Sequence, residues 1–180
     1  MIKLRTYLTT GLPLLLLFNT LYAANHEHEH EQHAAHVHGE ARLLVAVEEK
    51  TVEMEFTSPA MNLLGFEHRP ESEQQQKQLQ DVIEKLKQAD LLFSLPAAAN
   101  CRLSAVEVES PYGQQSGHDA EHTDFSAFYH YTCPGTHRVK MLTVKLFEQF
   151  PLTETVEVQT VSSRGQNQVD LQAQDNIVDL

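Results

Sequence analysis

Apolar side chains recur at every second position through two adjoining stretches of this chain. Ala41, Leu43, Val45 and Val47 alternate with Arg42, Leu44, Ala46 and Glu48; after a Glu49-Lys50 turn, Val52, Met54 and Phe56 alternate with Glu53, Glu55 and Thr57. A strand sends successive side chains to opposite faces, so this pattern predicts a hairpin with one buried face. A sheet of that kind must be covered by something, which limits the chain to layered folds.

Further strands read out of the remaining sequence. Cys101 to Glu109 is one, with a bulge where Ala105-Val106 interrupts the alternation. Asp124 to Cys133, rich in Phe and Tyr, is another, and a long turn-rich loop, residues 110–123, joins the two. Strands near Val139–Phe147, Thr155–Val161 and Gln168–Gln172 follow, the last two linked around Ser163 to Asn167. Asn62 to Pro70 reads as a partly buried loop. Leu79, Val82, Ile83 and Leu86 recur instead at helical spacing behind a Ser72/Gln75 capping box, which predicts one amphipathic helix over roughly 73–90. The expected class is α+β: one antiparallel sheet of about six or seven strands with one helix across a face, preceded by a disordered His-rich segment.

The beginning of the chain has a different character. Lys3 and Arg5, an apolar run centred on Leu12 to Phe18, and the small residues Ala23 and Ala24 form the pattern of a secretory signal peptide over residues 1–23. The run is too short to span a bilayer comfortably. With no cysteine at the new N-terminus, the mature chain is expected to be free of a lipid anchor and soluble, with residues 24–36 disordered and 37–180 forming a single domain. Removal of the leader leaves 157 residues with 11 basic and 25 acidic side chains, a formal charge of −14. Such a surface disfavours nucleic acid and anionic lipid and favours cations.

An exported chain meets an oxidising compartment, where the pair Cys101 and Cys133 is expected as a disulfide rather than as two buried thiols. If the strands on either side of the 110–123 loop pair antiparallel, the bridge clamps the base of their hairpin and the loop histidines sit at its tip.

Six of the eleven histidines fall within residues 26–38: His26, His28, His30, His33, His36 and His38. Imidazoles interleaved with carboxylates suit a divalent cation, which makes the segment a metal collector; the plain alternative is a solvated low-complexity tail. His118, His122 and Asp124, with Asp119 and Glu121, form a second candidate patch, against the same plain alternative. If the chain runs extended through His36-Val37-His38, both rings lie on one face, about 7 Å apart at Cα. His68, His122 and Asp124 are the residues that would complete a site with them. His130 reads as half-buried strand packing and His137 as an exposed turn residue.

Enzyme motifs are lacking. His26-Glu27-His28-Glu29-His30 satisfies H-E-x-x-H only through alternation of two letters, and there is no GxSxG elbow, P-loop or GxGxxG fingerprint. The chain is therefore expected not to be an enzyme.

Several short motifs together resemble one family. They are His36-Val37-His38-Gly39-Glu40-Ala41, Ser58-Pro59 with Leu64-Gly65-Phe66-Glu67-His68, Leu95-Pro96 with Cys101, His122-Thr123-Asp124-Phe125, Cys133, and Leu146-Phe147 with Phe150-Pro151. In this order they resemble the ZrgA-type periplasmic zinc-uptake accessory proteins over nearly the whole mature chain. The resemblance implies a zinc-binding protein of a Gram-negative periplasm working with a membrane zinc importer. It points to His36, His38, His68, His122 and Asp124 as ligands, and less firmly to His26, His28, His30, His33 and His118. The expected metal is Zn²⁺. Copper or nickel is the alternative, because cleavage after Ala23 exposes Ala24-Asn25-His26, whose amine, amides and imidazole offer square-planar nitrogen. Supply to an importer and protection against excess metal remain alternatives, as does an interaction domain with an incidental tail.

Overall fold

The computed structural model describes residues 37–112 and 123–180. The expected leader and the His-rich segment up to His36 lie outside the described residues, as do residues 113–122.

The early alternation becomes β1 (Glu40–Val47) and β2 (Thr51–Pro59), paired antiparallel with Val47 opposite Val52. Ala41, Leu43, Val45, Val52, Met54 and Phe56 are buried, as the period requires. Next come α1 (Ala60–Leu64), α2 (Glu73–Lys87), α3 (Ala89–Leu92) and the two-residue β3 (Phe93–Ser94). The predicted loop from Asn62 thus begins as one helical turn, ended by Gly65 at φ +80°, a left-handed position that favours glycine.

Helix α2 starts where expected. Ser72 Oγ accepts from the Gln75 N–H, and Gln75 Oε1 accepts from the Glu71 N–H, so the reciprocal bond is displaced by one residue from a capping box. Leu79, Val82 and Leu86 face the core, and Lys85 and Lys87 occupy the last turn, where cations complement the helix dipole. The chain leaves α2 at Gln88, before the anticipated end.

Strands β4 (Arg102–Glu109) and β5 (Asp124–Thr132) pair antiparallel, and the register slips between Leu103 and Ala105. The bulge therefore sits at Ser104, one residue before its expected place, and Ser104 Oγ donates to the His130 carbonyl at 2.8 Å. After β5 come β6 (Met141–Val144), α4 (Leu146–Gln149), β7 (Thr155–Ser162), β8 (Gly165–Leu171) and β9 (Ile177–Asp179). The single strand anticipated at Val139–Phe147 is confined to Met141–Val144, and its last two residues open α4. Leu146 and Phe147 are both buried, and consecutive inward side chains do not fit a strand with one wet face.

The α+β class holds, with the nine strands divided between two sheets. The larger has the order β4-β5-β2-β1-β7-β8 and is antiparallel except at β1/β7; the smaller is β3-β6-β9. One face of the large sheet is buried under α2 and the second sheet. Tyr129, on β5, joins these layers: its hydroxyl donates to the Leu86 carbonyl at 2.8 Å, and its ring meets Phe93 edge-on at 5.2 Å. Burial raises the Tyr129 pKa, so the phenol keeps its proton.

The direction of the strands sorts the molecule into two ends. At one, Cys101 and Cys133 form the expected disulfide, closing the base of the β4/β5 hairpin. At the other, the starts of β1, β5 and β7 meet the ends of β2 and β4.

Candidate metal centre

His38 stands immediately before β1, in a turn. The Glu40 N–H donates to the Val37 carbonyl at 3.1 Å, and Gly39 takes φ +88°, the value that the third position of a type II turn demands. Residues 37–40 thus form a turn where an extended run is expected at Val37-His38, and the pairing of His36 with His38 falls partly outside the described residues. His36 lies outside the described residues, as do His26, His28, His30, His33, His118 and His122.

The turn is held from two sides. Asn62, buried on α1, accepts from the Gly39 N–H at 2.7 Å and donates to the Glu40 carbonyl at 2.8 Å and to Ser58 Oγ at 3.2 Å. Glu154 and Thr155, at the start of β7, both donate backbone N–H groups to the Gly39 carbonyl, at 2.7 and 3.0 Å. A Cβ on residue 39 would meet the flexible Glu154 side chain at 3.3 Å, a contact that a small shift relieves, so it is the φ that calls for glycine here.

In this setting His38 Nε2 lies 3.0 Å from Glu67 Oε1. The side chains are 55% and 30% exposed, and pairs so exposed to water contribute only about 0–1 kcal/mol. The contact's consequence is orientation. A carboxylate only accepts, so the neutral ring carries its proton on Nε2, leaving the Nδ1 lone pair for a metal. His68 is fixed in the complementary way: Nδ1 donates to the Arg69 carbonyl at 2.8 Å, which leaves Nε2 as the basic nitrogen, and the ring stacks on Phe66 at 5.0 Å.

Asp124 is the first residue of β5, opposite Pro59, the residue before α1. The Thr123 carbonyl accepts from the Ala60 N–H at 2.8 Å, which ties the return of the 113–122 loop to the same corner. Tyr112, where the chain departs, is half-buried against the core. Burial pushes the Tyr112 phenol up to about 12, the negative charge of Glu67 adds to the rise, and Arg69 opposes it. His38, Glu67, His68, Tyr112 and Asp124 therefore belong to one end of the sheet, where both histidine-bearing segments join the domain.

Among the described residues no three His, Cys, Asp or Glu side chains gather closely enough to hold a metal ion. His130 is elsewhere, at mid-strand on the wet face, with Nδ1 3.2 Å from Glu53 Oε1. His137, exposed in a 3₁₀ turn, is near the disulfide end. Neither cysteine is free to ligate. Three contributors to the site escape a reading of the sequence as a ligand list. Glu67 is a carboxylate with no spacing signal, Glu154 holds the turn through its backbone N–H, and Asn62 acts through hydrogen bonds to the turn backbone and to Ser58.

A sequence model described as that of the ZrgA family zinc uptake protein matches residues 35–180. The chain belongs to the ZrgA family. No curated protein matched it. Membership links the protein to zinc uptake and makes zinc the metal to weigh against the corner built around His38.

Asn62 offers a check that does not depend on a ligand set. Asn62→Ala leaves the Gly39 N–H and the Glu40 carbonyl without their buried partner and is expected to lower stability by about 2–3 kcal/mol. It should also weaken zinc binding, although amide groups are poor zinc ligands, because the turn carrying His38 loosens. Denaturant unfolding and zinc competition on the same variant measure both effects.

Proposed function

We propose that this ZrgA-family protein is a zinc-binding protein of the Gram-negative periplasm, exported by residues 1–23, that captures Zn²⁺ and supplies it to a membrane importer. It acts by binding and not by catalysis. The observation that carries the reading is the corner itself. An oriented His38–Glu67 pair sits where the chain emerges from His36 and where the loop bearing His118 and His122 leaves and returns. His36, His38, His68, His122 and Asp124 are assigned to the tighter site. His26, His28, His30 and His33, with His118, form the first catch, which raises the local concentration of metal and passes it to the corner. Zinc prefers a tetrahedral set of nitrogen and carboxylate oxygen donors, which these residues offer.

Protein purified after export, without a tag or chelating resin, should contain zinc in preference to copper or nickel. Calorimetric titration should show more than one zinc per chain with graded affinity. A single weak site unchanged by deleting residues 25–35 contradicts the two-part arrangement, and copper or nickel as the resident ion contradicts the metal. Supply and protection separate in cells. At limiting zinc, deletion of the gene should lower zinc accumulation if the protein feeds an importer, whereas a sink would leave uptake intact and sensitise cells to excess.

Binding should depend steeply on pH. Histidine coordinates only as the neutral ring, so protons compete for the same lone pairs as pH falls through about 6.5, the ordinary imidazole value. Zinc affinity is expected to be high above that pH and to fall below it. Carboxylate-only sites would persist to about pH 4–5, so stoichiometric zinc retained at pH 5 would mean that histidines are not the principal ligands.

A further inference from the structure

Among the described residues, no layer covers the second face of the six-stranded sheet. Its residues alternate with the core positions: Leu44 and Ala46 on β1, Glu53 and Glu55 on β2, Phe128 and His130 on β5, Gln159 and Val161 on β7. Register aligns them across strands, with Gln159, Leu44, Glu55, Phe128 and Glu107 forming one row. Leu44 and Phe128 are each 37% exposed and Val161 is 50% exposed, and the rows border a shallow groove of about 670 Å³. Leu44, Ala46 and Val161 adjoin, and Phe128 lies across Glu55 from Leu44, so apolar and acidic side chains interleave on this face; exposed apolar side chains rimmed by charge mark interaction surfaces in soluble proteins.

The charge lining this groove is chiefly acidic. Glu53, Glu55 and Glu107 line it. Strands β2, β5 and β7 carry no Lys or Arg; Arg42, the one cation of β1, lies 3.5 Å from Glu157, and Arg102, the one cation of β4, stands opposite Thr132 at the disulfide end, beyond the groove's lining. Each occupant can be weighed against that field. A second copy placed face to face would set carboxylates against carboxylates. The segment 24–36 carries Glu27, Glu29 and Glu31, and the loop 113–122 carries Asp119 and Glu121; neither has a Lys, an Arg or a large apolar residue. None of these complements the groove, and residues 1–23, with Lys3, Arg5 and their apolar run, are removed on export under the function proposed above.

We propose that the open sheet face is a docking surface for a separate polypeptide whose Lys and Arg side chains flank exposed apolar ones. Apolar contact with Leu44, Phe128 and Val161 would supply the buried centre, and the carboxylates would steer and register a cationic partner. The surface is independent of the metal corner, and its test does not require zinc.

The probe is a synthetic peptide of alternating Lys and Leu, compared with a twin in which every Lys is Glu, and titrated against protein purified after export. The cationic peptide should bind and the acidic twin should not. Binding should weaken as ionic strength rises, because exposed charge pairs are screened. Replacing Glu53, Glu55 and Glu107 together with Gln should weaken binding by about 10-fold, while the same charge change at Glu73, Glu84 and Glu148 should alter it by less than about 2-fold. Phe128→Ser, checked by thermal melting to be folded, should weaken binding without changing zinc affinity. Equal losses in the two triple variants would show a non-specific charge effect and overturn the proposal. Binding of the acidic twin, or self-association through this face in sedimentation, would overturn it equally.

Discussion

Replacing His36 and His38 together with alanine is expected to weaken the tightest zinc site by at least about 10- to 100-fold, the loss that follows removal of even an outer partner of a metal ligand. Replacing His26, His28 and His30 together should cost less. The reason lies in what holds His38. Its backbone is fixed by Asn62 and by the start of β7, and its ring is oriented by Glu67, so binding zinc there orders little that is not already ordered. Zinc competition against a calibrated chelator ranks the variants. Glu67→Gln, which keeps the shape but removes the charge, should produce an intermediate loss. A larger loss from the His26/His28/His30 variant would move the principal site into the N-terminal segment.

Breaking the disulfide should act on stability and leave metal binding alone. Cys101 and Cys133 are 32 residues apart in sequence, and a loop of that length corresponds to about 3–4 kcal/mol in the chain-entropy model. For a domain of this size the melting temperature should fall by about 10 °C in Cys133→Ser or in the double variant. The β4/β5 hairpin separates the bridge from the His38 corner by nine residues of β5, roughly 30 Å at strand rise. Zinc affinity at a temperature where the variant is folded should therefore stay within about 2-fold of the parent, since distant sites are nearly independent. A parallel loss of affinity would mean that the two ends of the sheet are coupled.

These two expectations draw on different layers of information. The disulfide is legible in the chain itself: two cysteines at the outer ends of two alternating strands, with a loop between, leave few other geometries. The hairpin of β1 and β2, the Ser72 start of α2 and the burial of Leu79, Val82 and Leu86 are legible for the same reason, because each depends on neighbours close in sequence. The segment Val139–Phe147 misleads by its composition, since two adjacent core residues, Leu146 and Phe147, suit a helical turn on the core. Strand β9 is invisible at that level, as three residues with one buried side chain, Val178, show no period.

The site divides in the same way. Local sequence supplied the ligand types, the histidine-dense segments and the likeness to a zinc-uptake family, since coordination chemistry resides in side-chain identity and motif order survives without coordinates. Only the tertiary structure decided that Glu67 reaches His38, 29 residues away, and that Asn62 and Glu154 secure the turn. It also decided that β7 lies parallel beside β1 and that, among the described residues, one face of the large sheet stays uncovered. A parallel pairing requires a long crossover, and a contact between distant loops depends on how whole layers stack. Neither leaves a periodic trace in the residues that make it, whereas a hairpin, a cap and a cysteine pair write theirs directly into the chain.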